Sequence, residues 1–207
     1  MHLLLVDNSN FYGGIPKVTV ALANAMLARG HRVTVLNTKP VSRLLYPLYQ
    51  AGYWIYKKSL PEHIRPDMPR HVYSLRDMFP LRPEADLQFY SFTDKNKKIQ
   101  KLRKRIQAIN PDVCVCLFPD GRHIVWAVTL MGSGIPFVYS EHHCPDTIEH
   151  CFWTRAGRLA AMSGADIIQL LLPSYVQSIP DFLRSRVRVV QNPITAPACI
   201  ADPLGEK

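Results

Sequence analysis

Short apolar runs alternate with longer segments of helical periodicity along most of this chain. The first run, residues 3–6, is too short for a helix and is bounded by turn-forming residues, so it predicts a buried parallel strand. Runs of the same kind predict six more strands, at residues 32–37, 70–75, 111–118, 135–140, 164–172 and 183–191. Residues 78–92 are irregular and contain prolines, and we expect a loop there that faces the ligand side.

Apolar residues at helical spacing predict the segments between these strands. In the first helix, Pro16 is placed for the first turn and Gly30 for the end. Its apolar positions are Val18, Leu22, Ala25 and Met26. Further helices are predicted at residues 94–110, 122–131 and 148–162, and a short one starts at Ser174. This order predicts one doubly wound, Rossmann-like α/β domain with about seven mainly parallel strands.

Gly13 and Gly14 lie at the turn between the first strand and the first helix. Glycine lets a ligand approach the backbone closely, and the free N–H groups of a helix start favour an anion, to which Lys17 adds a positive charge. The alternative is that the glycine pair only makes a tight turn. The spacing is not that of a dinucleotide fingerprint, and Asn37 stands where such a site carries an acidic residue. Both observations disfavour a flavodoxin-like or dehydrogenase-like domain.

The residues around this turn resemble a known family. The segments 12–18, 22–25 and 29–35 are similar to the opening of retaining GT-B glycosyltransferases of family 4. The segment Ser140–Pro145 resembles the Ser-Glu-(Arg/His)-Asn-(Asp/Asn)-Pro motif found in members that act on lipid-linked acceptors, with His143 and Cys144 replacing Asn and Asp. The order of segments is similar over nearly the whole chain.

The resemblance implies roles for several residues at the carboxyl ends of the strands. Gly13, Gly14 and Lys17 would face the donor phosphate and the acceptor hydroxyl. His142 would be the catalytic residue, placed near the reacting sugar to bind it or to help with proton transfer. Asp120 and Glu141 end strands at the edge where open α/β sheets place ligands, and we expect both to bind substrate.

The chain has 25 Lys and Arg against 16 Asp and Glu, a formal charge of +9 that suits nucleic acid, anionic lipid or phosphorylated substrates. The helix at 94–110 has an apolar stripe of Ile99, Leu102, Ile106 and Ile109, and basic residues cover its other sides. It lacks aromatic residues for base stacking, so we expect no nucleic-acid partner. Two interpretations of its basic side remain: a solvated outer face, or a contact with an anionic bilayer. Residues 41–70, rich in Tyr and Leu, suit a membrane interface or a helix packed on the sheet.

Five cysteines, an odd number, suggest free thiols in a reducing compartment. No apolar run approaches the ~20 residues of a membrane span, and the N-terminus lacks the charged region of a signal peptide. We therefore expect a cytoplasmic protein, peripheral on the inner face of the membrane if the basic helix binds lipid. Cys114 and Cys116 alternate in a strand and are predicted core residues. His142, His143, Cys144, His150 and Cys151 have poor spacing for zinc, so no metal site is expected.

The domain is predicted to span residues 1–194, with 195–207 as an interdomain linker or tail. In the resembling family, Asn-Pro-Ile, here Asn192–Ile194, precedes a second domain that holds the nucleotide-sugar. We therefore expect the acceptor-binding half of a larger glycosyltransferase, inactive alone, with its C-terminal donor domain missing. A nucleotide-sugar would be the donor substrate and a lipid-linked or polysaccharide acceptor the second substrate, with no cofactor or metal required. The alternative is a non-catalytic module that binds a phosphorylated glycan or lipid.

Overall fold

The computed structural model describes residues 1–7, 14–38, 75–90, 98–117, 123–145 and 155–192. The elements in chain order are β1 (His2–Asp7), α1 (Gly14–Ala28), β2 (Arg32–Asn37), α2 (Leu75–Met78), β3 (Asp86–Phe89), α3 (Lys98–Ile109), β4 (Val113–Cys116), α4 (His123–Leu130), β5 (Phe137–Glu141), α5 (Arg155–Ser163), β6 (Ile167–Leu170), the 3₁₀ helix η1 (Pro173–Ser178), α6 (Asp181–Arg184) and β7 (Val187–Val189). No helix within these ranges is both long enough and apolar enough to cross a bilayer.

The seven strands form one sheet in the order β3-β2-β1-β4-β5-β6-β7. Every neighbouring pair is parallel. The chain runs outward from β1 in one direction and, from β4 onward, in the other, so the order of the strands reverses between β1 and β4. The predicted doubly wound, Rossmann-like α/β fold with about seven strands is confirmed.

The core lies on both faces of the sheet because successive side chains of a strand point to opposite sides. In β1, Leu3 and Leu5 pack on the face covered by α1 and α2, whereas Leu4 and Val6 pack on the face covered by α3, α4 and α5. The helices contribute Val20, Ala23 and Leu75 to the first cluster and Leu102, Trp126 and Met162 to the second. Burial on both faces explains why the central strands are continuous apolar runs.

Two local predictions from the sequence are confirmed. Cys114 and Cys116 are fully buried in β4, as expected of core residues. Gly30, two residues beyond the end of α1, has a φ of 79°, a conformation that glycine adopts without strain. The N–H of Gly30 bonds to the carbonyl of Leu27 at 3.0 Å, and the N–H of His31 bonds to that of Met26 at 3.0 Å. This pair of bonds is the Schellman motif.

The third strand of the sheet lies where the sequence predicted a loop. Residues 70–74 lie outside the described ranges, and Leu75 begins α2 instead of ending a strand. The third strand is Asp86–Phe89, inside the segment expected to be a loop. It lies at the edge of the sheet, and all four of its side chains are exposed or half-buried. A short, half-exposed edge strand lacks the apolar run that marks a buried one.

Other boundaries also differ from the expected ones. Leu183 and Arg184 belong to α6, so the last strand begins only at Val187. In α3, Leu102, Ile106 and Ile109 are buried as predicted, but Ile99 is 37% exposed. In α1 the buried positions are Pro16, Thr19, Val20 and Ala23, whereas Ala25 is exposed. The face that packs on the sheet is therefore rotated from the predicted stripe.

Candidate functional site

The carboxyl ends of the parallel strands meet at one edge of the sheet. β1 ends there at Asp7 and β5 at Glu141, and the strand order reverses between β1 and its neighbour β4. In open α/β sheets, ligands bind at this edge beside such a reversal. Gly13 and Asp120 belong to the connections that follow β1 and β4, and both lie outside the described residues. Their substrate-binding roles stay predictions.

The first residue of α1, Gly14, has open space where a side chain would lie. Gly14 is exposed, and a Cβ built on it would meet nothing within 4 Å. Its φ is not positive, so the backbone here does not require glycine. Lys17 is exposed in the first turn, where helix N–H groups have no intrahelical acceptor. Binding of an anion by Gly14 and Lys17 at this helix start stays a prediction.

His142 follows β5 on the side of the sheet where α1 packs. Leu5, Val115 and Val138 are register partners in adjacent strands and point to the α1 face. Ser140 is two residues beyond Val138 and shares this face, and its Oγ lies 2.8 Å from Nε2 of His142. Two strand spacings, roughly 10 Å, separate β1 from β5. The start of α1 and the predicted catalytic histidine therefore flank the reversal point at one edge and on one face.

A chain of hydrogen bonds holds His142 to the next two strands. The hydroxyl of Ser140 donates to Oε1 of Gln169, its register partner in β6. The amide nitrogen of Gln169 donates to the backbone carbonyl of Val190, just beyond β7, at 2.8 Å. The other ring nitrogen of His142, Nδ1, makes no hydrogen bond of ordinary geometry with any residue that the structure describes.

The environment of His142 favours the neutral ring. Burial lowers the pKa of His142 from 6.5 to about 4, and the charge of His143 acts in the same direction. A weaker interaction with the side chain of Asn192 opposes the shift. At neutral pH the imidazole is therefore uncharged, able to accept one hydrogen bond and donate another.

Unlike the adjacent His142, Glu141 is fully buried and ion-paired. Its side chain is fully buried, and so is the guanidinium of Arg158 from α5. Arg158 donates from Nη2 to Oε1 of Glu141 at 2.6 Å and from Nε to Oε2 at 3.0 Å. The hydroxyl of Tyr139 also donates to Oε2, at 2.8 Å, and Nη2 of Arg158 donates to Oγ of Ser178 at 3.1 Å. Burial, together with this carboxylate, raises the pKa of Tyr139 well above its ordinary value.

This network ties the end of β5 to α5 and η1. Both carboxylate oxygens of Glu141 are bonded on the face of the sheet opposite His142, because side chains alternate along the strand. The structure therefore supports an anchoring role for Glu141, and its predicted contact with substrate stays untested. The network fixes the backbone from which His142 extends.

The family model described as Glycosyltransferase Family 4 matches residues 12–195. The chain belongs to this family. The match includes the start of α1, β5 and the segment around His142, and it confirms the family and GT-B resemblance inferred from the sequence. No relative was found among curated protein sequences.

Solved structures share the fold of this family 4 domain at low sequence identity. HepE from Anabaena, solved in complex with UDP, aligns with a TM-score of 0.55 and 12% identity over 96% of this chain and 47% of its own. MurG from Acinetobacter baumannii gives 0.50 and 11% over 92% and 44%. UDP-GlcNAc 2-epimerase from Methanocaldococcus jannaschii gives 0.53 and 11% over 93% and 46%. At such identities the likeness shows the fold alone. The chain spans less than half the length of each.

Sequence reasoning missed the residues that support His142 in this family 4 domain. Gln169 was assigned only to a buried strand, although a polar side chain in an apolar run is itself a signal that a partner exists. Arg158 has Ala161 and Met162 at the following helical positions, and all three are buried. An arginine on the apolar stripe of a helix predicts a buried acidic partner.

The histidines and cysteines considered as zinc ligands from the sequence follow β5. Among the residues that the structure describes, no three His, Cys, Asp or Glu side chains are close enough to hold a metal ion. His150 and Cys151, considered as ligands from the sequence, lie outside those residues. The expectation that no metal is required therefore stays a prediction.

Proposed function

We propose that this chain is the acceptor-binding half of a retaining glycosyltransferase that moves a sugar from a nucleotide-sugar to a lipid-linked or polysaccharide acceptor. Membership of family 4 supports a glycosyltransferase module. The observation that carries the finer proposal is the placement of an open, basic helix start and a half-buried neutral histidine on the same face and edge of the sheet. The nucleotide-sugar would be held mainly by a second domain supplied by the parent protein.

The start of α1 would act on the diphosphate of the donor. Its first N–H groups, which have no intrahelical acceptor, and the ammonium of Lys17 would stabilise the negative charge that develops when the sugar leaves. Gly14 would allow close approach because nothing within 4 Å occupies the position of a Cβ. In this arrangement Lys17 and the helix N–H groups would lie beside the leaving diphosphate, so no metal would be required.

His142 would act on the sugar or the acceptor. Its neutral ring can bond to a hydroxyl without introducing a second charge beside the diphosphate. The ring is held from one side by Ser140 and is half-buried, which suits an interaction whose geometry matters in the transition state. It would therefore orient a hydroxyl and assist proton transfer to or from it.

The test is sugar transfer by the two-domain parent protein and by this chain alone. We expect transfer only from the two-domain protein, since the chain covers 44–47% of the solved structures that share its fold. In the two-domain protein, Gly14→Val, Lys17→Met and His142→Ala should each lower kcat by about a hundred- to a thousand-fold if each removes a transition-state contact. Arg29→Met, at an exposed basic residue beyond the far end of α1, is the control and should leave kcat unchanged.

Thermal melts on the same variants separate chemistry from folding. Because a Cβ at Gly14 meets open space, Gly14→Val should change the melting temperature little. Turnover by the 207-residue chain alone would refute the half-enzyme proposal. Binding of a phosphorylated glycan without transfer by the two-domain protein would favour the non-catalytic module. Normal kcat in His142→Ala would remove this residue from the site.

We further propose a cytoplasmic location at an anionic membrane surface. The described part of the basic helix supports this, since Lys101, Arg103, Lys104 and Arg105 are exposed while its apolar side packs on the sheet. The other segment predicted to suit a membrane interface, residues 41–70, lies outside the described residues. Basic residues near an anionic bilayer contribute about 1 kcal/mol each at low salt.

Sedimentation with anionic and with zwitterionic vesicles tests this location. We expect binding to the anionic vesicles only, with an affinity that falls as salt rises. Lys104→Glu should weaken it by at least about fivefold, whereas Arg29→Glu, an equal charge change at the far end of α1, should weaken it less. Equal and weak binding to both vesicle types at low salt would refute the proposal.

A further inference from the structure

The carbonyl of Val190 determines which group donates and which accepts in the chain of hydrogen bonds that leads to His142. The chain of bonds starts at the backbone carbonyl of Val190, which can only accept. The group of Gln169 that faces it at 2.8 Å must therefore be the NH₂ group. This leaves the amide oxygen of Gln169 pointing to Ser140, and an amide oxygen can also only accept.

The same reasoning continues through Ser140 to the imidazole. The single hydroxyl proton of Ser140 is used in the bond to Gln169. Toward His142, Oγ of Ser140 can then only accept, and the contact of 2.8 Å requires a proton on Nε2. In the neutral ring the other nitrogen, Nδ1, carries a lone pair. Nδ1 is buried and makes no hydrogen bond of ordinary geometry with any of the described residues, and the side chain of Asn192 is the polar neighbour that influences the pKa of the ring.

We infer that Gln169 and Ser140 are positioning residues that hold His142 as the neutral Nε2–H tautomer and present Nδ1 as a hydrogen-bond acceptor for a ligand hydroxyl. The sheet supplies the geometry: Ser140 and Gln169 are register partners in β5 and β6, and Val190 follows the neighbouring strand β7. The identity of the ligand as a sugar rests on the proposed function, but the tautomer does not.

A fixed acceptor at Nδ1 determines the kind of group that His142 can bind. A hydroxyl can donate to it, whereas a phosphate or carboxylate oxygen brings only lone pairs and would be repelled. The positive helix start at α1 suits the anion, and the histidine suits a hydroxyl. The helix start would thus select the phosphate of a sugar phosphate, and the histidine would select a hydroxyl. A ligand bound the other way round would leave buried polar groups without hydrogen-bond partners.

Nitrogen-15 NMR of the histidine rings in the full 207-residue chain, without any substrate, tests the tautomer directly. The chain has eight histidines, so the signals of His142 are assigned by their loss in His142→Gln. At neutral pH we expect Nε2 to show the shift of a protonated nitrogen and Nδ1 that of an unprotonated one. Two substitutions then separate the hydrogen-bonding role of Gln169 from packing.

Gln169→Leu removes the acceptor, which frees the hydroxyl of Ser140 to donate to Nε2. The ratio of the Nε2–H to the Nδ1–H tautomer should fall by about 2- to 10-fold, the contribution of one ordinary hydrogen bond. Gln169→Glu keeps an oxygen facing Ser140 and should retain the proton on Nε2, although it loses the donor to the carbonyl of Val190. Gln177→Leu, at an exposed glutamine of η1, should change nothing. Ser140→Ala interrupts the chain of bonds without touching Gln169 and should also lower the ratio.

A proton on Nδ1 in the wild-type chain would overturn the inference, and that measurement needs no variant. An unchanged ratio in both Gln169→Leu and Ser140→Ala would show that the tautomer does not depend on these residues. The result is independent of sugar transfer. If the tautomer is as expected but His142→Ala transfers sugar normally, the proposed function of His142 fails and its positioning stands.

Discussion

Removing the guanidinium of Arg158 is expected to destabilise this domain strongly. Arg158 and Glu141 form an ion pair at 2.6 Å with side-chain exposures of 1% and 0%. Arg158→Met would remove two hydrogen bonds to Glu141 and one to Ser178. A carboxylate would then stay buried without its cation, supported by the hydroxyl of Tyr139.

The magnitude follows from the burial of both partners. Removing one member of a buried, hydrogen-bonded pair typically costs about 3–5 kcal/mol, mainly because the remaining charge is uncompensated. For a domain of this length, each kcal/mol lowers the melting temperature by about 2–4 °C, so a fall of roughly 6–20 °C is expected. The double variant Arg158→Met, Glu141→Gln removes both charges and keeps an acceptor for Tyr139, so it should be less destabilised than the sum of the single variants by at least about 1 kcal/mol.

Urea denaturation of the wild type, both single variants and the double variant measures these free energies of unfolding. The matched control is Arg184→Met, because Arg184 pairs with Asp181 at the same 2.6 Å but with side-chain exposures of 47% and 88%. An exposed pair typically contributes about 0.2–1 kcal/mol. The reasoning is refuted if Arg158→Met costs no more than Arg184→Met, or if the two single effects add within about 0.5 kcal/mol.

Three further predictions concern packing, backbone and pH. Gly164→Ala would bring a Cβ to 2.5 Å from that of Ala127, so it should cost about 1–3 kcal/mol in urea denaturation. Ala127→Gly should recover part of this loss, and an equal loss in both backgrounds would argue against the contact. Gly30→Ala should cost about 1–2 kcal/mol because its φ is +79°, whereas Gly14→Ala, with no positive φ and open space, should cost less than about 0.5 kcal/mol in the same assay. The unfolded chain binds more protons at His142 than the native state does between pH 6.5 and about 4, so stability should fall by at most about 3 kcal/mol as pH is lowered through this window. Melting curves against pH should be flatter for His142→Gln, and parallel curves would contradict the lowered pKa.

Much of the fold could be predicted from local features of the chain. The central strand β1 contains the continuous apolar run at residues 3–6, since both of its faces are covered. The end of α1 at Gly30 follows from a positive φ that glycine adopts without strain. The position of His142 after β5 places it at the carboxyl edge of a parallel sheet, and this required only the order of the elements.

Edge elements were harder to predict from the sequence. β3 has four exposed or half-buried residues and α6 has four residues, so neither carries an apolar run or a helical period long enough to recognise. Their conformations depend on strand pairing and packing with distant parts of the chain. Tertiary context therefore decided where the sheet ends.

The support of the site was decided only by the tertiary structure. Ser140 and Gln169 lie 29 residues apart in the chain and meet because β5 and β6 pair in one register. Arg158 reaches Glu141 because α5 packs on the face opposite His142. Residue types alone do not specify such pairings, since a shift of one residue in register would send each side chain to the other face. The sequence therefore located the histidine, and the folded sheet determined which side chains hold its ring.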